Sequence, residues 1–360
     1  MTAVSELAEG ARNLLLNCAG LKAGDEILIL HEDPALAWYD LDAPLAVLAE
    51  ARKLGMSAVL LQVGAPDNDR DPRVAETVAA KACSIFFARI GDQDRFANAE
   101  PGKASVMCYA RDAAMLASTY GRTDHRAFLE LKTAVDNILL GADRIEISCP
   151  RGTDISGGLS ERDRESREDV SIRRFPLGVS QPLAASGFSG RVALAGYLTP
   201  TGSKIYEPPF LELETPIFAE VVSGRIVEFT GAPDMTARVR EHYKMVAEMF
   251  RIDPDAVHSW HAGIHPGCAY TADVAQNPDR WANTVFTNPR FLHFHTCGSY
   301  PPGEICWMVQ DPTIAIDGTI LWERGRLRPE AFVQARRCLD AWPELKPLFA
   351  NPSELTGLPD

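Results

Sequence analysis

The stretch DEILILHED, residues 25–33, carries an unbroken apolar run from Ile27 to Leu30. Such a run suits a strand covered on both faces, because a half-buried strand would alternate apolar and polar residues. Short apolar segments recur in SAVLLQVG (57–64), ACSIFFARIG (82–91), SVMCYAR (105–111) and DRIEISC (143–149). Between them, APLAVLAEARKLG (43–55) and HRAFLELKTAVDNILLGA (125–142) read as helices. The second sets Leu129, Leu131, Val135 and Leu139 on one broad face and runs into a glycine. Strand and helix in alternation predict an α/β N-terminal domain over residues 1–150, with a mostly parallel, doubly wound sheet. No GxGxxG follows the first strand, so nothing points to a dinucleotide.

Beyond residue 150 the pattern changes. PRGTDISGGLSERDRESRED is polar and aperiodic, and reads as a crossover or loop between domains. GRVALAGYL (190–198), PFLELETPIFAEVVSGRIVEFTG (209–231) and PTIAIDGTILWERGRL (312–327) then read as strands. Ser223-Gly224 and Asp317-Gly318 mark tight turns between alternating runs. One helix is predicted over 232–252, and another closes the chain in RPEAFVQARRCLDAWPELKPLF. Residues 151–360 are therefore expected to form an α+β catalytic domain with a largely antiparallel sheet or partial barrel. A chain of 360 residues exceeds what one core normally serves, which agrees with two domains.

A net charge of −13 disfavours phosphate backbones and anionic lipid, so neither nucleic-acid nor membrane binding is expected. MTAVSELAEGARNLLLNC lacks a basic leader and an apolar core run, and no stretch approaches a membrane span. The eight cysteines are scattered without a CxxC pair, which suits a reducing cytoplasm. Cys18, Cys83, Cys108 and Cys149 fall in apolar patterns and read as core.

Chemistry concentrates in the second half. HSWHAGIHPGC and FLHFHTCGSY together place five of the eight histidines within 38 positions. Imidazole is the commonest transition-metal ligand and titrates near neutrality. His261 is expected in a glycine-containing loop after a helix. His293 and His295 alternate on a strand and share one side. Glu304 and Asp311 are the nearby acids. His258 reads as solvent-exposed, His265 as a backbone partner or a substrate contact, and His31, His125 and His242 as structural. The spacing matches neither a closed zinc pattern nor HExxH.

Several stretches together resemble a known superfamily. IEISCPRGTDISGGLSER is similar to the strand and "GTD" segment opening the second domain of thermophilic-type leucyl aminopeptidases. GRVALAGYL and PIFAEVVSGRIVEFTG are similar to the strand and hairpin that follow there, and HAGIHPGC takes the place of a loop that starts with a metal ligand. The 2,5-dihydroxypyridine 5,6-dioxygenases share this architecture, with Fe(II) held by His, His and Asp. The resemblance runs in order along nearly the whole chain. It implies that His261 stands where the first iron ligand stands. Trp307 and Val309 stand where an H-x-D ligand pair is expected, and Arg174, in RRFPLG, replaces an acid–base histidine. His293, His295 and Glu304 remain as substitutes.

The resemblance implies an enzyme of small aromatic or N-heterocycle catabolism: a metal-assisted ring-opening dioxygenase or a hydrolase. Its metal ligands would be His261, His295 and Glu304, with His265, His293, Arg174 and Cys297 as catalytic candidates and Arg173 a second choice for holding an anionic group. Fe(II) would be the expected divalent metal and an anionic aromatic compound the substrate. A metal-free hydrolase or lyase with a histidine base and Cys297 as nucleophile stays open, as do a metal-dependent aminopeptidase and a non-catalytic ligand binder. The resemblance also implies a homo-oligomer.

Overall fold

The first apolar run lies inside its sheet, second from one edge. In the computed structural model, which describes residues 3–66, 71–93, 95, 102–165, 170–194, 196–200, 206–299 and 302–358, it forms the strand Glu26–Glu32. Every residue of that strand after Glu26 is buried, as a strand covered on both faces requires. Five parallel strands run in the order Ser57–Val63, Glu26–Glu32, Cys83–Phe87, Ala104–Cys108, Arg173–Phe175. The helix Asp42–Lys53 covers this sheet through Ala43, Val47, Leu48 and Ala51, at helical spacing. This is the expected α/β architecture, but the fifth strand is Arg173–Phe175.

The segment DRIEISC belongs elsewhere. Its strand, Ile145–Ser148, pairs antiparallel with Thr313–Ile316 and with Asp154–Gly157. The reason is visible in the residues: Ile145 and Ile147 are buried while Glu146 and Ser148 are exposed, the alternation of a sheet with one solvated face. The chain accordingly divides into one unit of residues 1–129 and 169–177 and a second of residues 130–168 and 178–360. A single boundary at residue 150 is replaced by a chain that leaves the first unit and returns to it for one strand. The helix His125–Leu140 spans the change at residue 130. Leu131, Val135 and Leu139 are buried as expected, whereas Leu129 is 49% exposed and leaves the apolar face.

The second unit holds the predicted antiparallel sheet. Its eight strands run in the order Arg225–Gly231, Ile217–Val222, Ser189–Leu194, Asp154–Gly157, Ile145–Ser148, Thr313–Ile316, Thr319–Glu323, Arg326–Leu327. Both tight turns carry positive φ at both central residues: 48° and 68° at Ser223-Gly224, and 49° and 81° at Asp317-Gly318. That is the hairpin geometry that matches strand twist. The polar segment expected as a loop instead contributes the strand Asp154–Gly157 and the short helix Glu161–Glu165, while its residues 166–169 lie outside the described residues. The helix Pro233–Phe250 lays Met235, Val239, Tyr243 and Val246 inward at intervals of three and four. The expected closing helix is two, Val333–Ala341 and Leu345–Ala350, since Pro343 cannot continue the first. No helix among the described residues is long and apolar enough to cross a membrane.

A separate four-stranded antiparallel sheet carries the histidines. Its order is Glu304–Gln310, Phe291–Cys297, Val257–Ala262, Leu183–Ala184. His261 sits within the strand Val257–Ala262, not in a loop. That strand is bulged: Val257 pairs with Thr296, yet Ser259 pairs with His295, so His258 is the extra residue. His258 is half-buried, not exposed, and its Nε2 lies 2.8 Å from the Cys297 carbonyl oxygen.

Candidate metal centre

Side chains on paired residues of an antiparallel sheet project from the same face. His261 pairs with His293, and His295 lies two residues further along the same strand. All three imidazoles therefore share one face. On that face, His295 pairs with Cys306, Cys297 with Glu304, and His293 with Met308. The opposite face is apolar and includes Trp260, Phe294 and Trp307. The bulge at His258 sets this phase. With uninterrupted pairing from Val257–Thr296, His261 would meet Leu292 and project with the apolar set.

The three rings converge. His261 Nε2 lies 2.9 Å from His295 Nε2, the two rings stack at 5.0 Å between centroids, and the His293 ring stands edge-on to both. One ring nitrogen from each of the three lies within 4.8 Å of the other two. Burial, and after it the neighbouring His295, push the His293 pKa well below the usual histidine range. His293 is therefore a neutral imidazole with a lone pair, the form that binds metals. Its Nε2 is buried and has no hydrogen-bond partner among the described residues. Phe286, which follows the helix Pro278–Val285, stacks on His293 at 5.5 Å and 24° and stands edge-on to His261.

These residues fit a divalent ion. His261 Nε2 and His295 Nε2 share a hydrogen bond at 2.9 Å, so the two nitrogens face one another and could both turn to one ion. The unpartnered Nε2 of His293 supplies the third donor. Three neutral nitrogens suit borderline metals such as iron, cobalt or zinc better than magnesium or calcium.

Glu304, expected among the ligands, meets His295 from the other side of the ring: its Oε1 lies 3.1 Å from Nδ1, and its side chain is 3% exposed. His265 is fully buried and stands apart from the three, its Nδ1 accepting the Gly267 amide N–H at 3.1 Å. Arg174, like Arg173, lies on the strand Arg173–Phe175 of the first unit, whereas the three histidines and Glu304 all belong to the second. Asp311 forms an ion pair with Arg290. Trp307 and Val309, where the resemblance places a ligand pair, face away from the histidines, because the strand presents Glu304, Cys306 and Met308 to them. Phe286 carried no signal in the sequence.

Cys297 is 1% exposed, and burial pushes its thiol up to about 12. His258, the ring beside it, meets its carbonyl oxygen rather than its sulfur. A thiol so protonated and covered reacts slowly. Iodoacetamide at neutral pH is expected to leave Cys297 unmodified in the folded protein and to label it after denaturation. Peptide mass spectrometry reads the difference, and rapid labelling of the native protein would restore Cys297 as a nucleophile.

No family model matches the sequence, and no curated protein matches it. Among solved structures, the 2,5-dihydroxypyridine dioxygenase from Pseudomonas putida KT2440 superposes with a TM-score of 0.60 at 13% identity, over 93% of this chain and 100% of that one. Wild-type AmpT from Thermus thermophilus superposes with a TM-score of 0.48 at 12% identity, over 90% and 99% of the two chains. The superposition over nearly the whole of both chains shows that this chain has the fold of the 2,5-dihydroxypyridine dioxygenase.

Proposed function

We propose that this protein is a metal-assisted enzyme acting on a small, anionic aromatic or N-heterocyclic compound, with ring-opening oxygenation as the leading reaction and hydrolysis second. His261, His293 and His295 would hold one divalent ion, Fe(II) being the first candidate. The observation that carries this reading is the buried, neutral His293 Nε2, unpartnered among the described residues, with one ring nitrogen from each of the three histidines within 4.8 Å of the other two. A buried polar atom without a partner costs about 1–3 kcal/mol, a cost that a bound ion removes. The substrate class comes from the 2,5-dihydroxypyridine dioxygenase that shares the fold, and is carried to this chain as part of the proposal.

When bound, the ion would act as a Lewis acid towards substrate oxygens and bring oxygen or water to react. Three neutral ligands leave its charge undiminished, which favours an anionic substrate. The chain's own groups do the rest. Glu304 holds the Nδ1 side of His295, and Phe286 fixes the His293 ring and excludes water from one side.

The Glu304–His295 contact also supports a second reading, in which His295 is a general base oriented by a carboxylate and no metal takes part. Metal analysis of anaerobically purified protein separates the two. One iron, cobalt or zinc ion per chain, lost in His261→Ala, is the result expected here. Activity on dihydroxylated aromatics or pyridines that is insensitive to chelators, in protein without stoichiometric metal, would leave the second reading.

A further inference from the structure

Glu304 is a buried carboxylate that the proposed chemistry does not use as a ligand. It lies at the start of the strand Glu304–Gln310, paired with Cys297, and reaches diagonally to His295. Two contacts anchor the neighbourhood. Glu304 Oε1 lies 3.1 Å from His295 Nδ1, and the Tyr206 hydroxyl donates to the Glu304 backbone carbonyl at 3.3 Å. The other nitrogen of the same ring, Nε2, faces His261.

A neutral imidazole carries one proton on one of two nitrogens, and the partner of one nitrogen decides the state of the other. A carboxylate accepts and does not donate, so Glu304 draws the proton to Nδ1. The lone pair is then left on Nε2, at the edge shared with His261 and His293. Were the proton on Nε2, the lone pair would sit on Nδ1 and face Glu304, an unfavourable meeting of two acceptors in a buried place. A carboxylate behind a ligating imidazole also makes that ring a stronger donor.

We propose that Glu304 is a positioning residue that fixes His295 as the Nδ1–H tautomer and thereby presents its Nε2 lone pair to the three-histidine centre. The part of this concerning ion affinity rests on the metal reading above; the part concerning the tautomer does not. Glu304 acts on the ion only through His295.

The test uses the full-length chain freed of metal by chelation. Nitrogen-15 NMR of labelled histidines, with His295→Ala assigning the signal, reads the tautomer directly. Nδ1–H is expected for His295 in the wild type, with a shift towards Nε2–H in Glu304→Ala. Titration with Co(II) alone reads affinity: Glu304→Gln, of nearly the same shape but uncharged, is expected to bind about 10-fold more weakly, and Glu304→Ala about 100-fold. Melting curves of the metal-free variants check folding; the wild-type tautomer and the Gln variant decide the matter if the Ala variant does not fold.

Nε2–H in the wild type overturns the proposal, as does wild-type Co(II) affinity in both Glu304 variants. If the wild type binds no Co(II), or His261→Ala and His293→Ala bind it undiminished, the metal reading falls instead. The tautomers of wild type and Glu304→Ala then decide the role of Glu304 by themselves.

Discussion

Replacing His293 by leucine is expected to abolish the gain in stability that a divalent ion gives, while leaving the ion-free chain at least as stable as the wild type. Two magnitudes set this expectation. In the ion-free protein His293 Nε2 is buried and without a hydrogen-bond partner among the described residues, an arrangement that costs about 1–3 kcal/mol and that an apolar residue of similar size removes. Phe286 offers such a residue an apolar surface. With ion at 100 times its Kd, the wild type gains about 2.7 kcal/mol; a 100-fold loss of affinity leaves only about 0.4 kcal/mol. Outer partners of metal sites alone are worth about 10–100-fold, so loss of a direct donor should reach at least the top of that range. Melting temperatures with and without Co(II) or Zn(II) read both effects. An equal rise in the two proteins would remove His293 from the site, and a large drop in the ion-free variant would make it a structural residue.

The second large effect concerns the strand beside the histidines. The double variant Trp307→His, Val309→Asp supplies the ligand pair that the resemblance leads one to expect there. It should build no ligand and should destabilise the protein severely. Trp307 is fully buried on the apolar face, donates its indole N–H to the Tyr243 hydroxyl, and packs against Phe229 and Phe294. Loss of a buried tryptophan costs about 3–5 kcal/mol. A carboxylate at the fully buried position 309 adds several more, since it is desolvated among apolar groups. By contrast, Cys306→His with Met308→Asp places the same pair of groups on the histidine face and should alter Co(II) binding. Urea denaturation and Co(II) titration compare the two double variants. A folded Trp307→His, Val309→Asp protein with tighter Co(II) binding would show that the strand is read in the wrong phase.

Much of the fold can be read from the residues. Ile27 to Leu30 as an unbroken apolar run, and the paired turns at Ser223-Gly224 and Asp317-Gly318, are local signals that tertiary packing had no reason to override. Order in the chain alone places DRIEISC in the parallel sheet, although the alternation Ile145, Glu146, Ile147, Ser148 already marks a strand with one wet face. That the chain crosses back to place Arg173–Phe175 beside Ala104–Cys108 follows from long-range pairing, which no local pattern carries. At the site, the alternation of His293 and His295 tells that they share a face. That His261 joins them depends on pairing between strands. Phe286 and the outer position of Glu304 are likewise products of packing.

The extra residue at His258 has a genetic meaning. Val257 and His261 stand four steps apart on one strand while their partners, Thr296 and His293, stand three apart, so losing any single codon of 258–260 leaves His261 opposite His293 and only straightens the strand. The segment thus carries one residue more than its pairing needs. Comparison of this chain with others should therefore allow a gap of one residue across that segment when matching histidines by letter.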